Sequence, residues 1–87
     1  MKHHSHPDII KRLKRAEGHL RSILGMFEDE RSCVDLAQQL HAVENAIGNA
    51  KRELIHDHID HCLHDNADGT QDARRMLKEL KALTKYL

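Results

Sequence analysis

The sequence predicts an all-α protein, a three-helix protomer whose core would be completed by assembly with a second copy. Three observations carry this. Apolar residues recur at steps of three and four over long stretches, the period of an amphipathic helix, and no stretch alternates as a strand does. The only proline, Pro7, stands where a helix begins. Aromatic residues are confined to Phe27 and Tyr86, so a lone 87-residue chain has a thin core that assembly would complete.

The first helix is expected from Pro7, a favoured first-turn residue, to about Asp29, with Asp8 complementing the helix dipole. Ile9, Leu13, Ala16, Leu20, Ile23 and Phe27 form an unbroken heptad seam along it. Gly18 and Gly25 lower its helix propensity and leave room for the close approach of another helix. Residues 28–32 form the turn into helix 2. That helix is expected from Ser32, its N-cap, to His64, with Asp35 in the third helical position completing a weak capping box. Its seam is Leu36, Leu40, Val43, Ile47, Ala50 and Leu54, flanked by Asn45 and Asn49. Residues 66–70 read as a loop turning at Gly69. A third helix is expected from about Gln71 to Tyr86, with Ala73, Met76, Leu80, Leu83 and Leu87 as the stripe that docks on the others.

Residues 1–87 therefore read as one small domain, with 1–6 a flexible His-rich tail. The start of the chain lacks the apolar core of a signal peptide, and no apolar run has the length of a membrane span. With only two cysteines, this predicts reduced thiols in the cytoplasm and no membrane partner. The formal charge of zero hides an asymmetry. Residues 1–21 carry Lys2, Lys11, Arg12, Lys14, Arg15 and Arg21 against Asp8 and Glu17, a net +4, whereas residues 53–72 hold six carboxylates and no Lys or Arg. One basic surface for an anionic partner and one acidic, His-rich end for a cation follow. A basic helix face is most often only solvated. Here Lys11, Arg12, Lys14 and Arg15 are assigned to DNA phosphates because this end alone is strongly basic, and Lys51 and Arg52 extend the surface if helices 1 and 2 pack as a hairpin.

The chemistry concentrates in HDHIDHCLHD, which places His56, His58, His61, Cys62 and His64 within nine residues. His58 and Cys62, four apart, share one helix face. Cys33 does not join them within one chain: at ~1.5 Å per residue a continuous helix holds it roughly 37 Å from His58. A partner whose helix runs antiparallel would deliver its Cys33 there, and the two-fold axis near residues 45–48 would make two equal sites. Two thiolates and an imidazole suit Cu(I) in a low-coordinate geometry, and Zn(II) would take a fourth ligand. His3, His4, His6 or His61 would raise the coordination number towards Ni(II) or Co(II). The bland alternative is a buried Cys33 and solvated histidines, with the tail a solvated terminus. A disulfide-forming redox or sulfur sensor uses both cysteines but gives His58 no work. A Cys–His nucleophile lacks a recognisable orienting group and oxyanion hole, so the chain is read as no enzyme. Nor is there a helix-turn-helix signature or a Gly-rich phosphate loop.

At this point the chain resembles the CsoR/RcnR family of metal-responsive transcriptional repressors. HPDIIKRLKRAEGHL, CVDLAQQLHAVENAI and IHDHIDHCL carry the resemblance over essentially the whole length, with the Cys-x24-His-x3-Cys spacing of Cys33, His58 and Cys62 the most specific element. The resemblance implies an all-helical dimer of antiparallel hairpins, assembled as a dimer of dimers. It implies an apo form that binds operator DNA and a metal-bound form that releases it, derepressing metal efflux genes. Cys33, His58 and Cys62 match the copper-sensing set, and Arg12 and Arg15 match helix 1 positions used for DNA. Copper-sensing members have a supporting Tyr before the first Cys and a Glu in helix 3, where this chain holds Ser32 and Lys78, with Glu79 adjacent. Nickel/cobalt members add an N-terminal His and carry His where Cys62 stands. Formaldehyde-responsive members use an N-terminal Pro, whereas here Pro7 is internal and Lys2 follows Met1. The sulfur-responsive members lack the His. A cytoplasmic metal carrier is the remote alternative, and it would have no operator affinity.

Overall fold

The structure, a computed structural model, describes residues 5–65 and 73–87. Three helices follow in order, α1 (His6–Glu28), α2 (Cys33–Asp65) and α3 (Ala73–Leu83), and a 3₁₀ turn, Thr84–Tyr86, ends the chain. No strand occurs among the described residues. The predicted loop over 66–70, and His3 and His4, lie outside them.

Each end of α1 has a local cause. Ile9 N–H donates to the Ser5 carbonyl at 2.9 Å, closing the first turn, with Pro7 and Asp8 inside it. At the other end, Arg31 N–H donates to the Met26 carbonyl (3.1 Å) and Glu30 N–H to that of Phe27 (3.2 Å). This is a Schellman closure, whose turning residue is usually glycine. Here Glu30 takes that place at φ 56°, a left-handed conformation that a side chain disfavours. Two residues later Ser32 caps α2 as predicted: Asp35 N–H donates to Ser32 Oγ at 3.1 Å. The reversal is thus tight, and α1 and α2 run antiparallel.

Both seven-residue seams divide in two. Ile9, Ala16 and Ile23 of α1 and Leu36, Val43 and Ala50 of α2 are only 1–8% exposed and form the core between the helices. Ile23, the deepest, contributes roughly 1.5–3 kcal/mol by burial. The alternate positions, Leu13, Leu20 and Phe27 with Leu40, Ile47 and Leu54, remain 41–53% exposed. They form a second apolar row along one flank of the hairpin. Nothing meets the open space at Gly18 and Gly25 within the protomer, so the expected close approach is not to α2 or α3.

α3 is shorter than predicted at its C-terminal end. Thr84 Oγ1 donates to the Lys81 carbonyl at 2.6 Å as the chain tightens into the 3₁₀ turn. Met76, Leu80 and Leu83 are half-buried and dock α3 beside the C-terminal half of α2, while Leu77, Tyr86 and Leu87 stay exposed.

Candidate metal centre and nucleic-acid interface

Within α2 the three sequence-predicted ligands fall at opposite ends. Cys33 opens the helix and is exposed. Cys62 lies in its last turn and is buried, 2% exposed, and His58 lies one turn earlier. The helix is continuous between them, so the roughly 37 Å separation stands. Neither cysteine forms a disulfide. Among the described residues, no three His, Cys, Asp or Glu side chains converge to hold an ion.

The His58 end is nonetheless a shaped half-site. Glu79 Oε2 of α3 lies 3.5 Å from His58 Nε2, and the His58 side chain is 19% exposed. A carboxylate beside an imidazole favours its cationic or Nε2-protonated form and places an acidic neighbour next to the candidate ligand. Cys62 follows one helical turn on, so both donors face the same way. Two thiolates and an imidazole fit a soft transition-metal ion once a Cys33 is brought up. The resemblance put Lys78 at the supporting position with Glu79 adjacent, and the fold brings Glu79 to His58. The helical register of α3, which spacing through residues 66–72 does not fix, decides between neighbours.

His6 is the second addition. The sequence placed it in a flexible tail over 1–6, but it is the first residue of α1 and is half-buried. It lines one pocket with Leu54, Ile55, His58, Glu79 and Leu83. The antiparallel hairpin explains this, because the start of α1 must lie over the last third of α2. His61 is half-buried beside Cys62 and does not line that pocket.

The basic residues are all exposed: Lys11, Arg12, Lys14 and Arg15 on α1, and Lys51 and Arg52 on α2. Arg12 is engaged twice, Nε 3.2 Å from Asp8 Oδ2 and NH1 3.0 Å from Glu53 Oε2. Arg52 donates to Asn49 Oδ1, one turn back along α2. The α1 and α2 surfaces are joined again where His19 Nε2 meets Gln39 Oε1 at 2.6 Å, a contact between hairpin arms for which the sequence carried no signal.

Comparison with known proteins decides the family. Residues 5–86 match the family model of metal-sensitive transcriptional repressors. The chain belongs to the metal-sensitive transcriptional repressor family. It is 41% identical over 80 residues to the copper-sensing transcriptional repressor CsoR of Bacillus subtilis, covering 88% of this chain and 79% of that protein. It is 36% identical over 73 residues to the copper-sensing transcriptional repressor RicR of Mycobacterium tuberculosis, covering 83% and 76%. The nickel-responsive transcriptional regulator InrS has the same fold, with a TM-score of 0.85 at 28% identity, over 100% of this chain and 98% of that one. The repressor is thus a metal-responsive, non-enzymatic regulator of transcription, as the resemblance implied. Among its described residues no helix is long and apolar enough to cross a membrane.

Proposed function

We propose that this repressor senses Cu(I) through a site shared between protomers, Cys33 of one with His58 and Cys62 of the partner subunit. The observation that carries this is the His58–Cys62 half-site. An imidazole with Glu79 3.5 Å away and a buried cysteine share one helix face, while the third donor lies at the far end of the same continuous helix. The copper-sensing relatives, at 41% and 36% identity, favour that ion. The partner is a second copy seated on the open row of Leu13, Leu20, Phe27, Leu40, Ile47 and Leu54, with two such dimers forming a tetramer. The row is apolar, continuous along both helices and about half exposed, which is the mark of an assembly face.

In the apo state Lys11, Arg12, Lys14, Arg15, Lys51 and Arg52 meet operator phosphates. Because a metal ion and DNA favour different forms of the assembly, each weakens the other's binding by the same coupling free energy. When bound, the ion supplies a cross-link between protomers, and residues 1–87 act as one domain in this response. A second reading, Ni(II) or Co(II), rests on His6 in the His58 pocket, with His3, His4 and His61 as further candidate donors and Zn(II) a competitor. The nickel-responsive InrS is the structural likeness on that side.

The test is anaerobic anisotropy on a duplex selected by the apo protein, with Cu(I), Ni(II), Co(II) and Zn(II) titrated separately against chelating competitors. Release by Cu(I) that is lost in Cys33→Ala with apo binding intact is expected. Release by Ni(II) or Co(II) alone, lost in His6→Ala, would replace the copper reading.

A further inference from the structure

On the flank of the hairpin away from the open apolar row, α1 and α2 enclose a cleft of about 330 Å³ lined by Arg12, Arg15, Ala16, His19, Ala46 and Asn49. Successive helical residues project about 100° apart, so Arg12 and Leu13, adjacent in sequence, serve opposite flanks. The cleft therefore stays open when a second copy covers Leu13, Leu20 and Ile47.

Its chemistry is that of an anion site. Arg12 and Arg15 bring two planar guanidinium forks, the donor geometry that suits a phosphate. Asn49 lines the cleft and spends its Oδ1 on Arg52, so the group it can offer an anion is its amide NH₂, a donor. His19 is held across the floor by Gln39 at 2.6 Å, so one wall is fixed in place. Ala16 and Ala46 keep that floor shallow. No carboxylate lines the cleft itself. Two carboxylates outside the lining pair with Arg12: Glu53 Oε2 lies 3.0 Å from its NH1, bridging the two helices, and Asp8 Oδ2 lies 3.2 Å from its Nε.

We infer that this cleft is a phosphate-binding site, that its occupant is a phosphodiester group of the DNA backbone, and that Glu53 holds Arg12 until the phosphate displaces it. The inference rests on the reading of the repressor as a DNA-binding protein. It adds His19 and Asn49, which belong to neither the basic stripe nor the metal site, and it makes Glu53 a competitor for the same guanidinium.

The experiment is anisotropy of the apo full-length chain with a labelled mixed-sequence duplex over a salt series, since phosphate contacts alone supply non-specific binding. Asn49→Ala is expected to weaken binding about tenfold, the loss of a hydrogen bond to a charged group, and Asn49→Asp to weaken it further. Glu53→Gln is expected to tighten it about twofold to fivefold, the scale of a surface ion pair. Arg21→Ala, which removes the same charge outside the cleft, is expected to change it less than Arg15→Ala does. Circular dichroism checks that each variant is folded. If Arg15→Ala loses affinity while the Asn49 and Glu53 variants bind as wild type, the chain binds DNA but the cleft is not its phosphate site. If wild type binds no duplex, the DNA-binding reading fails and the cleft proposal falls with it. In that case an inorganic phosphate titration that shifts the His19 ring resonances would reassign the cleft to free phosphate.

Discussion

The two ends of α2 are built differently. At the Cys33 end a thiol stands exposed on the first helical turn, behind a short Ser-capped reversal, with no third helix beside it. At the His58 end α3 packs alongside, Glu79 lies beside the imidazole, Cys62 is buried and His6 lines the same pocket. In the proposed site the first end would supply a donor to the pocket at the second. This asymmetry within one helix is what the proposed antiparallel pairing of two copies would use. In the proposed shared site, metal binding would report on the relation between protomers rather than on the fold of one.

The comparison can be broken most sharply at the ligands. Cys62→Ala should cost more than about a hundredfold in Cu(I) affinity, beyond the 10–100-fold typical of outer-shell losses, and should abolish metal-driven DNA release. Chelator competition measures the first and anisotropy the second. Retained release would deny the His58 end its role. Glu79→Gln comes next. With the carboxylate gone but the shape kept, metal affinity should fall about 10–100-fold while apo DNA binding is unchanged. His6→Ala separates the two metals: Ni(II) affinity should fall by an amount measurable in competition and Cu(I) affinity should stay within about twofold, less than the 10–100-fold expected at the outer shell. The smallest effect is at the opposite end. Glu30→Gly relieves the φ 56° conformation of the reversal before Cys33 and should stabilise the fold by about 1 kcal/mol in thermal or denaturant unfolding. Metal affinity should not follow, because that end is a delivered donor and not a shaped pocket.

Much of this was legible in the residues. The three helices, the Ser32 cap and the distance between Cys33 and His58 follow from periodicity, capping residue type and rise per residue, which are local properties, and the family was legible as a resemblance carried by the Cys-x24-His-x3-Cys pattern. What the heptad pattern left open was which apolar row faces inward. Ile23 and Leu20 are equally apolar, and only the packing of α1 on α2 separates a buried position from one 43% exposed. The choice between Lys78 and its neighbour Glu79 stayed open because the register of α3 is set by its docking, not by counting from α2. His6 looked like tail because a histidine at a helix start carries no mark of the neighbour that the hairpin brings over it. The His19–Gln39 contact joins residues twenty apart, and no single-helix pattern encodes such a pair.

Complementation between two inactive variants tests the divided site most directly. Cys33→Ala and Cys62→Ala chains, each unable to build a site alone, are refolded together under anaerobic conditions, and bound metal per mixed dimer is measured against chelating competitors. If the site lies between protomers, Cys33 of one chain meets His58 and Cys62 of the other, and each mixed dimer regains one high-affinity site of its two. If mixing restores none, the donors do not come from different chains, and the antiparallel dimer with shared metal sites is wrong.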